Sequence, residues 1–244
     1  MHVKSIGIVG QGHFGAFVVT LVERFLPEVE VRTVRARSTV AVEWAQVARA
    51  DVVVLCVSIR HYIAIAERLL PLIGPETTIV DVATVKSLTT AWFQKQSRSV
   101  RYLCTHPMFG PASYEKSGQS VAGFRVVVTD HNVPADTYEA ILTWLQGLGL
   151  HIIEMEATAH DRYLAETLFL THFLAQVITK AEFVRTDIDT VSFGFLMDAV
   201  ESVRDDTELF TDVYQHNPYC AAVIDKLVSA TQHVQQQLLQ SGSA

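Results

Sequence analysis

The stretch "LCTHPMFGP", Leu103 to Pro111, sets a histidine where an apolar run ends and a stiffened segment begins. An imidazole titrates near neutral pH, so it can take the proton of a hydroxyl whose carbon loses hydride. Such a base contributes ~10²–10⁴-fold to a rate. Pro107, Gly110 and Pro111 restrict the backbone around His106 and would hold its ring in place. A lone histidine at a strand end reads equally as a structural group bonded to a backbone carbonyl. Beside a ligand site at the carboxyl end of a strand, it reads as a general base. A second segment, "DVATVKS" (Asp81 to Ser87), ends a neighbouring strand. It offers the Thr84 hydroxyl to the same substrate oxygen and places Lys86 in the same crevice.

The ligand that such a crevice would hold is indicated near the N-terminus. "GIVGQGHFG" places Gly10, Gly12 and Gly15 in the G-x-G-x-x-G pattern, directly after an apolar strand and at the start of a helix. Gly10 permits the tight turn, Gly12 lets the backbone approach a pyrophosphate, and Gly15 lets helix and strand pack closely. The helix N-terminus supplies donors and partial positive charge. His13 and Phe14 within this turn, and Val57 and Ser58 after the third strand, are the expected neighbours of the same dinucleotide. Where an NAD site usually carries an acid, the second strand ends in "VRTVRARST" with none. Arg35 and Arg37, followed by Ser38, suit a 2′-phosphate, so NADP is expected, with NAD possible. The alternative is that these arginines are simply solvated. No His, Cys and carboxylate set has metal-ligand spacing, and no metal is expected.

The elements that must position these groups follow from periodicity. Short β-branched runs ("SIGIVG", "EVEVRTV", "DVVVLCV", "TTIVDVA", "RYLCTH", "FRVVVTD", "LHIIEM") alternate early on with helical patterns over Phe14–Phe25, Val40–Ala48, His61–Leu72 and Ser87–Gln94. Apolar strands alternating with helices imply βαβ units. The expectation is an α/β Rossmann-type, doubly wound, mainly parallel sheet. After Met155 the pattern is helical, and Ile224, Leu227, Val228, Val234 and Leu238 form one apolar stripe. Residues 1–154 are therefore expected to form the dinucleotide-binding domain, and residues 155–244 an all-helical domain. The tail "QQQLLQSGSA" is expected to fray.

Bulk properties agree with a compact protein. The chain has 244 residues, 49% hydrophobic and 18% charged, with a net charge of -7. That charge gives no reason to expect nucleic acid or an anionic membrane surface. No apolar run reaches the roughly 18 residues of a membrane span. The three cysteines, Cys56, Cys104 and Cys220, are few, odd in number and lack CxxC spacing, which suits a reducing cytoplasm. "MHVKSIGIVG" lacks the apolar core of a signal peptide.

"LCTHPMFGP", "GQGHFG", "DVATVKS" and "AHDRYLAETLFLTHFLA" together resemble the prephenate/arogenate dehydrogenase family of tyrosine biosynthesis, over nearly the whole chain. "IDTVSFGFLMDAVESVRDDTELFTDVYQHNPY" is similar to plant-type arogenate dehydrogenases in particular. The resemblance implies that His106 accepts the ring hydroxyl proton while hydride passes to the nicotinamide. It implies that Thr84, where the family has Ser, helps hold the substrate, and that His172 lines the substrate pocket. It also assigns substrate binding and dimerisation, as a homodimer, to the helical domain of residues 155–244. By residue type alone, His172 reads equally as a core histidine, and Asp161 as a structural acid at a helix N-terminus. Some prephenate-using members carry an arginine where this chain has Glu201. An acid there attracts the ammonium of arogenate, which favours arogenate over prephenate. The length leaves no room for a mutase or regulatory domain, so one activity is expected. Two other readings stand beside it: a related dehydrogenase of a specialised pathway acting on a prephenate-like acid, and a nucleotide-binding protein without catalysis.

Overall fold

The structure is a computed structural model that describes residues 3–96 and 100–241. The chain divides into two compact units, Met1–His160 and Asp161–Ala244.

The first unit is built on one seven-stranded sheet of order β2-β1-β3-β4-β5-β6-β7. Its elements run β1 (Ser5–Val9), α1 (His13–Phe25), β2 (Glu30–Val34), α2 (Ala41–Ala48), β3 (Val52–Leu55), α3 (Ile59–Leu69), β4 (Thr78–Asp81), α4 (Lys86–Gln94) and β5 (Arg101–Pro107). They continue α5 (Pro111–Lys116), β6 (Arg125–His131), α6 (Ala135–Gly147) and β7 (His151–Glu154). The first five strands are parallel, as the βαβ alternation requires. β6 runs antiparallel to β5, and β7 parallel to β6. This is the expected Rossmann-type, mainly parallel sheet. β1 is buried along its whole length, whereas the edge strands β2 and β7 alternate or open to solvent. That contrast explains why the central runs are continuously apolar.

Register decides where the functional groups emerge. Val9 pairs with Leu55, Leu55 with Asp81, and Asp81 with Cys104, a single rung across four strands. The residues that follow that rung all leave from the carboxyl edge. The order of strands reverses direction between β1 and β3, where an open α/β sheet forms its ligand crevice. Phe17 of α1, Tyr114 of α5 and Val126 of β6 pack with Phe109, Phe124 and, from α6 and its C-cap, Leu145 and Leu148; Leu103, Val128 and Tyr138 pack with Ile141 and Leu142 of the same helix, and Ile152 of β7 joins both groups.

The unit boundary falls inside α7 (Ala157–Leu164). The second unit is helical: a π-helical turn over Ala165–Phe169, then α8 (Leu170–Lys180), α9 (Val191–Val203), α10 (Thr207–His216) and α11 (Cys220–Ser241). Thr190 caps α9 by accepting from the Phe193 amide. Ala175, Met197 and Val200 form its core, and Phe169 stacks on Phe210 at 5.4 Å. Asp161 is not an acid at a helix N-terminus. It lies past the first turn of α7, fully buried, and its carbonyl accepts from Asn217 Nδ2 at 2.7 Å. α11 stays helical to Ser241, through most of the tail expected to fray; residues 242–244 lie outside the described residues. Among the described residues, no helix is long and apolar enough to cross a membrane.

Candidate active site

The glycine turn forms as its spacing requires. Gly10 has φ +101°, which L side chains rarely adopt, and a Cβ there would lie 2.1 Å from the Cys56 carbonyl oxygen. A Cβ on Gly15 would meet the Gly10 carbonyl at 1.9 Å, so α1 and β1 approach as closely as glycine allows. Gly12 faces open space, with no heavy atom within 4 Å of its would-be Cβ. It is the N-cap residue of α1, and no side chain caps that helix or places an acid in its first turn. The N-terminal amides of α1 and their partial positive charge therefore remain for an anion, which fits a pyrophosphate. His13 is exposed at this turn; Phe14 is half-buried and packs on Phe17 at 5.9 Å. Val57 Cγ1 borders Gly10, and Ser58 precedes α3, both at the end of β3.

Beyond β2 a cavity of ≈ 510 Å³ is lined by Gln11, Thr33, Arg35, Arg37, Ser38 and Glu43, among others. Arg35 and Arg37 are exposed there, and Arg35 Nε donates to Gln11 Oε1 at 3.3 Å. Ser38 donates through Oγ to Glu43 at 2.5 Å, while its carbonyl accepts from Trp44 Nε1 and Arg68 Nη1. Two guanidinium groups and one already bonded carboxylate make this an anion-favouring pocket, at the position where a cofactor's ribose substituent would lie.

His106 is the penultimate residue of β5, at the strand end as expected, opposite Val127 of β6. A β-bulge between Cys104 and Thr105 shifts the ladder immediately before it. The extra residue, Thr129, belongs to β6, so β5 itself runs on without interruption through His106. The ring is buried, and its pKa is held well below 6.5, first by burial and then by the nearby His160 and Lys86. His106 is therefore neutral at physiological pH, the state a base needs. The rest of the motif anchors it. Met108 N donates to the Arg125 carbonyl, Phe109 stacks on Phe124 at 4.8 Å and meets Phe17 edge-on, and Gly110-Pro111 opens α5.

Thr84 is half-buried on the turn between β4 and α4, on the strand adjacent to β5. Lys86, expected in the crevice as a substrate contact, is enclosed by protein. It is fully buried, and its ammonium lies 2.5 Å from Asp81 Oδ2 and 2.6 Å from the Thr105 carbonyl. A buried ammonium is stable only when so paired. His160 at the start of α7 was not read as a site residue from sequence, yet its Nε2 lies 2.9 Å from His106 Nδ1.

His172 and Glu201 belong to the second unit. His172 is buried, with Nδ1 donating to the Leu168 carbonyl at 2.9 Å. Its buried Nε2 has no hydrogen-bond partner; Asp206 stands 3.7 Å away. Glu201 is not a free carboxylate. Arg185 engages it through Nε at 2.9 Å and Nη2 at 3.0 Å, and also reaches Asp198 at 2.6 Å. Arg185 sits in the connection between α8 and α9, sixteen residues from Glu201, beyond the reach of helical spacing. Among the described residues no cluster could hold a metal ion, and the cysteines form no disulfide.

A doubly wound sheet with a glycine turn, an uncapped helix N-terminus and a basic pocket beyond β2 defines a dinucleotide-binding protein. Residues 27–154 match the family model "Prephenate dehydrogenase, nucleotide-binding domain". The chain belongs to the prephenate dehydrogenase family. Residues 177–243 match a second model, "TYRAAT1-like, C-terminal domain". Among relatives, the chain is 32% identical over 194 residues to chloroplastic arogenate dehydrogenase 2 of Arabidopsis thaliana, covering 77% of this chain and 54% of that protein. It is 26% identical to the cyclohexadienyl dehydrogenase of Zymomonas mobilis, covering 93% and 85%. Its fold matches the crystal structure of A. aeolicus prephenate dehydrogenase in complex with hydroxyphenyl propionate and NAD+. That match has a TM-score of 0.75 and 15% identity, and it covers 100% of this chain and 93% of that one. The chain spans about half the length, or less, of the first curated relatives it matches.

Proposed function

We propose that this protein oxidatively decarboxylates arogenate, with prephenate as the second candidate, and uses NADP as its cofactor. The observation that carries the reading is His106: a buried, neutral imidazole at the carboxyl end of β5, on the same sheet edge as the glycine turn. The amides at the start of α1 would hold the pyrophosphate, and Arg35 and Arg37 the 2′-phosphate. Bound NADP supplies the hydride acceptor. His106 takes the ring hydroxyl proton, Thr84 bonds the same oxygen, and Lys86 fixes the ends of β4 and β5 from behind. The substrate carboxylate leaves as carbon dioxide as the ring becomes aromatic, so the step runs one way.

Preference for arogenate rests on the second unit and on the arogenate-named relatives. Asp198 and Glu201 both bond Arg185, and Arg204 also lies near Glu201, so the preference rests on an acid standing where some prephenate-using members carry an arginine. Homodimerisation rests on apolar exposure in that unit, including Phe183 at 62%, Ile188 at 89% and Phe195 at 70%. A cytoplasmic setting rests on the three free cysteines.

The test follows reduced cofactor by absorbance, with arogenate and prephenate each paired with NADP and NAD. The arogenate–NADP pair is expected to be fastest. His106→Asn should lower kcat by ~10²-fold or more while the NADP KM changes little. Thr84→Val should cost less, and Thr84→Ser should be nearly silent. Turnover with neither substrate, or an active His106→Asn protein, would overturn the reading.

A further inference from the structure

His106 Nδ1 and His160 Nε2 lie 2.9 Å apart, both rings are buried, and their planes are inclined at 70°. Two ring nitrogens at that distance share one hydrogen, so one ring donates and the other accepts. The two arrangements differ chemically. If His160 donates, His106 carries its hydrogen on Nε2 and has no lone pair there. If His106 donates, its Nε2 holds the lone pair and can act as a base.

We propose that His160 is a positioning residue: its Nε2 accepts the Nδ1 hydrogen of His106 and holds that ring in the tautomer whose lone pair is on Nε2. This rests on the reading of His106 as the base. The proton balance is simple. The substrate O–H bond breaks, an N–H bond forms at His106 Nε2, and the positive charge stays on His106. The hydrogen between the rings does not transfer; its bond to His160 becomes charge-assisted and strengthens. The choice of a neutral acceptor has a consequence. A carboxylate in this place would also set the tautomer, but it would favour the imidazolium and protonate the base early. An imidazole orients the ring without adding negative charge. Lys86, the cation near His106 from the start of α4, works in the same direction. The pair therefore yields a base that is oriented and still unprotonated.

The test uses the full-length protein. In ¹⁵N-labelled wild type, ¹H–¹⁵N correlations should show His106 with hydrogen on Nδ1 and the lone pair on Nε2. His160→Leu removes the acceptor and should lower kcat by about 10²-fold, with the NADP KM changed less than about twofold. His160→Gln offers a carbonyl oxygen as acceptor and should recover most of that loss. A hydrogen on His106 Nε2 in the wild type would overturn the proposal. So would a His160→Leu protein within about twofold of wild-type kcat, or a Gln variant no better than Leu. If the Leu variant does not fold, the wild-type tautomer and the Gln variant decide. An inactive His106→Asn protein beside an active His160→Leu protein removes only the positioning role. An active His106→Asn protein removes the base itself.

Discussion

Lys86 Nζ joins the ends of two strands: it sits 2.5 Å from Asp81 Oδ2 on β4 and 2.6 Å from the Thr105 carbonyl on β5. Thr105 Oγ1 returns a bond to the Asp81 carbonyl at 2.8 Å. These contacts tie Thr105, one residue ahead of His106 and just after the register shift, to the end of β4.

Removing Lys86 strands a buried carboxylate. Lys86→Met should destabilise the protein by ~3–5 kcal/mol, read as a fall in the urea midpoint. Asp81→Asn combined with Lys86→Met should recover part of that loss, because no charge is then left unpaired. Equal midpoints for wild type and Lys86→Met would show that the pair contributes nothing.

The pH behaviour follows from the lowered pKa of His106. The acid limb of kcat/KM should lie below pH 6.5, because the base remains neutral further into acid than a free histidine. Stability has the same sign. Below about pH 6.5 the unfolded chain binds a proton at this residue that the folded chain refuses, so folding weakens as pH falls from there toward the folded pKa. Urea titrations from pH 7.5 to 5 should show this slope, and His106→Asn should reduce it.

Cofactor choice should follow the cavity beyond β2. NADP should be used at least about tenfold more efficiently than NAD, a difference of roughly 1.4 kcal/mol and within reach of one charged pair. Arg35→Ala with Arg37→Ala should raise the NADP KM far more than the NAD KM. Equal efficiency with both cofactors in the wild type would remove the role given to these arginines.

Assembly should depend on the helical unit. Light scattering at micromolar concentration should give the mass of a dimer. Phe195→Glu, at a side chain 70% exposed, should shift it toward monomer without unfolding the sheet unit. A monomeric wild type would refute the dimer.

The sheet was legible because its information is local. β-branched runs and helical stripes are read within about ten residues, and the glycine turn declares its own backbone. The short helix α5 and the later helix α6 were not marked, since Gly110-Pro111 reads as a stop even though proline also opens helices. The antiparallel turn of β6 left no local signature. Residue type suggests an exposed Lys86, whereas the structure buries it. Asp81 five positions earlier, amid Val82, Val85 and Leu88, was the available sign of a buried pair. His160 and Arg185 act through partners 54 and 16 positions away, which no periodicity reports.

The π-helical turn at Ala165–Phe169 behaves like one residue inserted into an otherwise regular helix. Each residue advances an α-helix by about 100°, so the insertion rotates everything after it by about that angle. Regular helical spacing counted from Asp161 therefore mispredicts the direction in which His172 points within the helical unit. Deleting one residue of this turn would restore regular helical spacing but rotate His172 and Ala175 away from the partners they now pack against, so the helical unit should be less stable. The five residues of this turn thus fix which side chains of α8 the helical unit buries, His172 and Ala175 among them.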